Sequence, residues 1–224
     1  MRQTALEFRT WGGKRKGAGR KAKGKRARVP HSRRPAVSRH HPQHVTLRIV
    51  DGLPTLRQEL FVKALRGALK NGKERFGLRV VHYSIQHNHL HCVVEAADRR
   101  ALTRGMHGLD VRIARAVNRL LARHGRVLGD RYHARALRTP REVRNVLAYV
   151  LLNSRRHSRS AFDGWDLASS AVVFEGWRDG SPSEDVTKDL LEEIAETRVP
   201  PDRWLLKTGW RRRGLIHPME IPGP

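Results

Sequence analysis

The apolar residues of this chain fall into short segments whose period switches between two and about 3.6, the mark of alternating strands and helices. His44-Val45-Thr46-Leu47-Arg48-Ile49-Val50 alternates and is rich in β-branched side chains, which predicts a strand. Asp51-Gly52-Leu53-Pro54 carries turn chemistry, and Thr55 is placed to cap a helix over about 56–74, where Leu60, Val62, Leu65 and Leu69 recur at near-helical spacing. Residues 78–86 and 89–96 read as two further strands with a tight connection around His87-Asn88. Residues 99–124 read as mostly helical, with a break expected at Gly105 to Gly108, and 127–137 as a fourth strand. Pro140, suited to a first helical turn, opens a helix through about His157.

The order β-α-β-β-α-β-α predicts an α+β domain, a ferredoxin-like or RRM-like antiparallel sheet with its helices on one face. Three parts follow: a disordered basic arm over 1–41, the domain over 42–158, and a C-terminal extension over 159–224. In that extension Trp165, Trp177, Trp204 and Trp210 lie among short, acid-tinged segments, and 185–197 has the pattern of one amphipathic helix. No internal repeat is present, and the residues of the extension do not state its role.

Charge narrows the partners. Lys and Arg number 46 against 21 Asp and Glu, a formal +25 in 224 residues, which points to a polyanion. No run approaches the roughly 18 apolar residues of a spanning helix, and the N-terminus lacks the apolar core of a signal peptide, so nucleic acid is favoured over a membrane. The single cysteine, Cys92, excludes an internal disulfide framework and a cysteine-based zinc finger. A cytoplasmic, nucleoid-associated protein is expected. The first 43 residues hold 14 Lys and Arg against one acid, Glu7, and Lys14, Arg15, Lys16, Arg20 and Lys21 stand in a glycine-rich run with almost nothing to bury. Such an arm supplies affinity for phosphates and no sequence specificity; a solubilising tail or a targeting signal has the same composition.

Two features carry candidate chemistry. His89-Leu90-His91 stands at the head of a strand, where alternation turns both imidazoles to one face and lets them share a cation, with Leu90 and Cys92 facing the opposite layer. Thirteen histidines make chance pairs of this spacing common. The second feature is Tyr149. Val143, Val146, Leu147, Val150 and Leu151 form the apolar stripe of the last helix, and Tyr149 falls beside it with Glu142, Asn145 and Asn153. Asn153, four residues on, shares its face, and its amide oxygen could complete a metal site or hold the phenol. An exposed aromatic on a solvated face fits the same spacing. Tyr132 and Tyr83 lie within predicted strands and read as structural. Arg131, His133 and Arg135 alternate on one strand face, as phosphate contacts or as a solvated edge.

His89-Leu90-His91-Cys92-Val93-Val94, Gly129-Asp130-Arg131-Tyr132-His133-Ala134-Arg135 and Val146-Leu147-Ala148-Tyr149-Val150-Leu151-Leu152-Asn153 together resemble the single-tyrosine HUH transposases. The likeness is greatest to the REP-associated tyrosine transposases, covers about 42–157, and extends to Ala18-Gly19-Arg20-Lys21 in the arm. The resemblance implies that His89, His91 and Asn153 hold Mg²⁺ or Mn²⁺ and that Tyr149 attacks a phosphodiester of single-stranded DNA beside a hairpin. A 5′-phosphotyrosine link and a free 3′-hydroxyl result. It leaves monomer and homodimer both open, and names no general base: His87, Glu142 and metal-bound water are the candidates.

Two other readings compete. A non-catalytic or domesticated nucleic-acid-binding protein on an RRM-like sheet would expose stacking aromatics on its strands, which this chain does not have in that arrangement. His87-Asn88-His89-Leu90-His91 also looks like the histidine-triad motif of nucleotide hydrolases. That motif wants an apolar residue where Asn88 stands, and it leaves the arm and the Tyr149 helix unexplained. Relaxases and replication initiators share the chemistry; relaxases are usually longer and often carry more tyrosines.

Overall fold

The computed structural model describes residues 36–154, 165–179 and 186–222. The predicted basic arm, with Lys14, Arg15, Lys16, Arg20 and Lys21, lies outside the described residues. Strand β1 (Gln43–Arg48) leads to helix α1 (Glu59–Gly72), a two-residue strand β2 (Glu74–Arg75), and the long strands β3 (Leu78–Ile85) and β4 (His89–Ala96). Helix α2 (Arg99–Leu120), strand β5 (His133–Ala136) and helix α3 (Pro140–Leu151) follow. The extension adds a 3₁₀ turn (Ser170–Val173), α4 (Lys188–Glu196), the single turn α5 (Trp204–Lys207) and a second 3₁₀ turn (Gly209–Arg213). The protein is α+β, with one five-stranded sheet of order β2-β3-β4-β1-β5 in which every pairing is antiparallel.

The period-2 pattern places each strand's side chains. Val45 and Leu47, Leu90, Cys92 and Val94, and Val80 and Ile85 face α1 and α2, with Leu65 and Leu69 of α1 and Leu102, Met106, Leu109 and Ile113 of α2 in the same core. Cys92 is fully buried there, and burial pushes its thiol pKa up to about 12, so it stays a thiol. A register shift between Val80 and His82 brings Val81 to the second face beside Val93.

Several sequence expectations change at this level. The helices do not share one face: α3 packs on the second face with Val81 and Val93, where Phe174, Trp177, Leu206, Trp210 and Ile216 of the extension close the core. An apolar stripe on α3 and tryptophans in the extension are indifferent to which face receives them; the exposed side of a sheet already covered by α1 and α2 is the one left. Thr55 does not cap α1, which begins at Glu59; its hydroxyl instead accepts the Arg57 N–H and meets His87 Nδ1 at 3.0 Å. Leu60 is 66% exposed and belongs to no stripe.

Helix α2 runs unbroken through Gly105 and Gly108. A Cβ at Gly105 would stand 2.2 Å from Leu78 Cβ, so this glycine is a point of close approach between helix and strand. The fourth strand is shorter than expected. Leu128 bridges Ile49, then Asp130 Oδ1 turns back to accept the Arg131 N–H at 2.7 Å, and regular pairing resumes only at His133. Tyr132 and Tyr83 are buried, as expected of structural tyrosines. Helix α3 starts with Pro140 after a capping box in which Thr139 and Glu142 satisfy each other's backbone N–H, and ends at Leu151. Among the described residues no helix is long and apolar enough to cross a membrane.

Candidate active site

The second face of the sheet is lined with polar side chains where α3 crosses it. Antiparallel pairing sets His91 of β4 opposite Thr46 of β1 and Ser84 of β3, while β5 brings His133 opposite Thr46 and Arg135 opposite His44. Paired residues point to one face, so His44, Thr46, His89, His91, His133 and Arg135 emerge together under Tyr149.

The two expected metal ligands converge. His89 Nε2 and His91 Nε2 stand 3.0 Å apart, and the Tyr149 hydroxyl lies 3.4 Å from His91 Nε2. The His91 and Tyr149 rings meet edge to face at 5.1 Å between centroids. Tyr149 is partly buried, between the apolar stripe and solvent, which is where a side chain serving an external substrate belongs. Both outer nitrogens have partners. His89 Nδ1 is 2.8 Å from Asn88 Oδ1, and His91 Nδ1 is 3.1 Å from His44 Nε2 and 3.2 Å from Thr46 Oγ1. If each ring keeps its proton on Nδ1, where these groups can accept it, both Nε2 lone pairs turn toward the same point.

His44 and Asn88 were not among the sequence candidates. The signal for His44 was present: His44, Thr46 and Arg48 alternate against Val45, Leu47 and Ile49, which declares a polar strand face, but only the register shows that this face meets His91. His44 sits 5.9 Å from the Tyr149 ring, and its pKa is lowered to about 4, by burial first and then by Arg135 and His133, so it is neutral at pH 7.

Asn153 is fully buried, and neither atom of its amide has a hydrogen-bond partner among the described residues. A buried unpaired amide is costly, and a hard divalent cation takes amide oxygen readily. Among the described residues no three His, Cys, Asp or Glu side chains are grouped for a metal ion. Two convergent Nε2 atoms with their outer nitrogens already held are a donor set that could take Mg²⁺ or Mn²⁺ with substrate oxygens completing the shell; Asn153 lies just past the Leu152 cap of α3, with no hydrogen bond tying its amide to the pair.

A cavity of about 390 Å³ opens beside the tyrosine, lined by His44, Arg135, Glu142, Asn145, Tyr149 and Glu220 among others. Arg135 is half exposed and reaches Glu142 at 3.4 Å, so it stands at the mouth of this cavity; Arg131 is exposed as well. Of the base candidates, His87 bonds Thr55 in the β3–β4 turn. Glu142 lines the cavity, but its Oε2 accepts the backbone N–H groups of Arg138 and Thr139. Burial works to raise the Glu142 pKa, and those two N–H groups with Arg135 outweigh it and hold the carboxyl below its usual range. A carboxylate so stabilised is a weak proton acceptor.

No family model and no curated protein sequence matches the chain. Among solved structures, a REP-associated tyrosine transposase bound to a REP hairpin overlays with a TM-score of 0.47 at 14% identity, covering 59% of this chain and 76% of that one. At that overlap the likeness is one of outline and decides nothing about the chemistry of this chain.

Proposed function

We propose that the protein is a single-tyrosine DNA transposase that cleaves and rejoins single-stranded DNA beside a hairpin through a 5′-phosphotyrosine intermediate. The observation that carries this reading is the convergence on His91 Nε2, which stands 3.0 Å from His89 Nε2 and 3.4 Å from the Tyr149 hydroxyl. An α+β fold built on one antiparallel sheet of order β2-β3-β4-β1-β5 supports the same reading, for which a ferredoxin-like core is expected.

His89, His91 and Asn153 would hold Mg²⁺ or Mn²⁺, which supplies Lewis-acid polarisation of the scissile phosphate. Tyr149 Oη attacks phosphorus in line, an Oη–P bond forms, the P–O3′ bond breaks, and the 3′-oxygen leaves as a hydroxyl, taking up a proton equivalent to the one the phenol gave up. A phenolate is also a good leaving group, so attack by a 3′-hydroxyl reverses the step without ATP. Arg135 at the cavity mouth would bind a phosphate flanking the reacting one, and Arg131 on the same strand approach would extend that track. The arm residues Lys14, Arg15, Lys16, Arg20 and Lys21 add phosphate contacts without specificity.

The test is a denaturing gel of the protein with labelled hairpin DNA from the flanks of its own gene and Mn²⁺, with Tyr149→Phe alongside. A covalent band in the wild type that Tyr149→Phe loses while still binding DNA is the expected result. Tight binding with no band on any flanking DNA would leave the domesticated binding protein as the better reading, and an undiminished band in the mutant would move the nucleophile elsewhere.

A further inference from the structure

The extension carries a second feature that the chemistry at Tyr149 does not use. Residues 203–213 read Arg-Trp-Leu-Leu-Lys-Thr-Gly-Trp-Arg-Arg-Arg, five cations and no acid in eleven positions. Their fold separates two roles. Leu205, Leu206 and Trp210 are buried in the core of the second face and fix the segment against α3. Trp204, Lys207, Arg211, Arg212 and Arg213 are turned outward.

Trp204 is 51% exposed, unusual for a residue type that is on average well buried. Gly209 lies against its six-membered ring, where any Cβ would come within 2.8 Å of the indole, so the ring sits down on bare backbone. The Arg212 guanidinium lies 5.0 Å from the Trp204 ring centroid, and Arg211 stands likewise 5.0 Å from that of Trp210. Beside this platform, Arg198, Lys207 and Arg211 rim a cavity of about 260 Å³ walled by Phe174 and Trp210, with Glu175 the one acid on its edge. An exposed ring with one arginine on it and further cations nearby matches a polymer that carries flat apolar groups on an anionic backbone.

We infer that Trp204 and the Arg211–Arg213 run form a platform for unpaired nucleic acid, on which a base stacks at Trp204 and flanking phosphates meet the arginines. Resting on the function proposed above, this gives the extension a role: it holds single strand against α3, the helix that carries Tyr149. Acidic protein is the other chemistry that five cations attract, but it has no use for an exposed indole; a base does.

The test measures binding of the full-length protein to a fluorescent single-stranded oligonucleotide by anisotropy across a salt series. A sugar-phosphate oligomer of the same length without bases, and a poly-glutamate peptide, are run in parallel. Trp204→Ala should weaken the oligonucleotide about tenfold, the scale of losing one stacked base, and leave the baseless oligomer unchanged. Arg211→Gln/Arg212→Gln/Arg213→Gln should weaken both and lower the salt slope by about 2, since each phosphate contact on single strand contributes about 0.7. Trp204→Phe, which keeps a ring, should recover most of the loss and reports on folding if Trp204→Ala is unstable. Equal loss on both oligomers in the Trp204 variants, an unchanged salt slope in the arginine variant, or tighter binding of poly-glutamate than of DNA would overturn the proposal. The covalent-adduct gel separates this result from the catalytic reading: a wild type with no adduct but with the Trp204 effect keeps the platform and loses the transposase.

Discussion

Replacing Asn153 with Leu should make the metal-free protein more stable. Both amide atoms of Asn153 are buried and unpaired among the described residues, and each such group costs about 1–3 kcal/mol. Leu has the same number of heavy atoms and the same branch point without the polar groups, so it removes those costs just past the cap of α3. Repacking a branched side chain into a site shaped for an amide returns about 1 kcal/mol or more. The net expectation is a gain of about 2 kcal/mol, which in a chain of this size raises Tm by about 4–8 °C. Calorimetry in chelator measures it. Mn²⁺ should then reverse the order of effects. A cation at a hundred times its Kd stabilises the wild type by about 2.7 kcal/mol, and Asn153→Leu, lacking one oxygen donor, should gain distinctly less at the same concentration. A fall in Tm for Asn153→Leu in chelator would mean that the amide is satisfied within the fold, and its assignment as a metal ligand would lose its physical basis. Equal Mn²⁺ stabilisation of both proteins would remove Asn153 from the site while leaving His89 and His91 in place.

Gly105→Ala should destabilise by about 2 kcal/mol or more in urea titrations, because the new methyl meets Leu78 Cβ at 2.2 Å and the clash exceeds the roughly 1 kcal/mol that alanine gains in a helix; an unchanged midpoint would mean that α2 and β3 separate freely there. Stability should also fall with acid. The pKa values of His44 and His82 are depressed in the folded chain, to about 4 for His44, in both cases chiefly by burial. Below about pH 6.5 the unfolded chain therefore binds protons that the folded chain refuses, and stability declines from pH 7 toward pH 4. For His44 alone the full loss is about 3 kcal/mol, so His44→Gln should flatten the slope in metal-free urea titrations, and an identical slope would place the acid sensitivity elsewhere.

Much of the scaffold is legible in the sequence because it depends on local pattern. Strand alternation at 43–48, 78–85 and 89–96, the capping box and Pro140 at the head of α3, and the α+β class with an antiparallel sheet all follow from period and from end signals. So does the placing of Leu90 and Cys92 on the face opposite the histidine pair, since a strand has only two faces. Where the expectation failed, a partner far away in sequence decided. Gly105 signals a break by its composition but serves a contact with Leu78, 27 positions earlier, and α3 goes to the second face because α1 and α2 have occupied the first.

The candidate site divides along the same line. Residue spacing picks out the pair His89 and His91 and sets Tyr149 beside the apolar stripe, because i, i+2 on a strand and the 3.6 period of a helix are fixed by backbone geometry; Asn153 was expected four residues up the same helix, whereas α3 ends at Leu151. Spacing cannot say that the two sets meet. That depends on the antiparallel register of β1 with β4, which brings His44 and Thr46 to His91 Nδ1, and on α3 crossing that face so that the Tyr149 hydroxyl comes within 3.4 Å of His91. The role of the extension was illegible for the same reason: whether a tryptophan is core or platform is set by what packs over it, and only the fold buries Trp210 and leaves Trp204 half exposed.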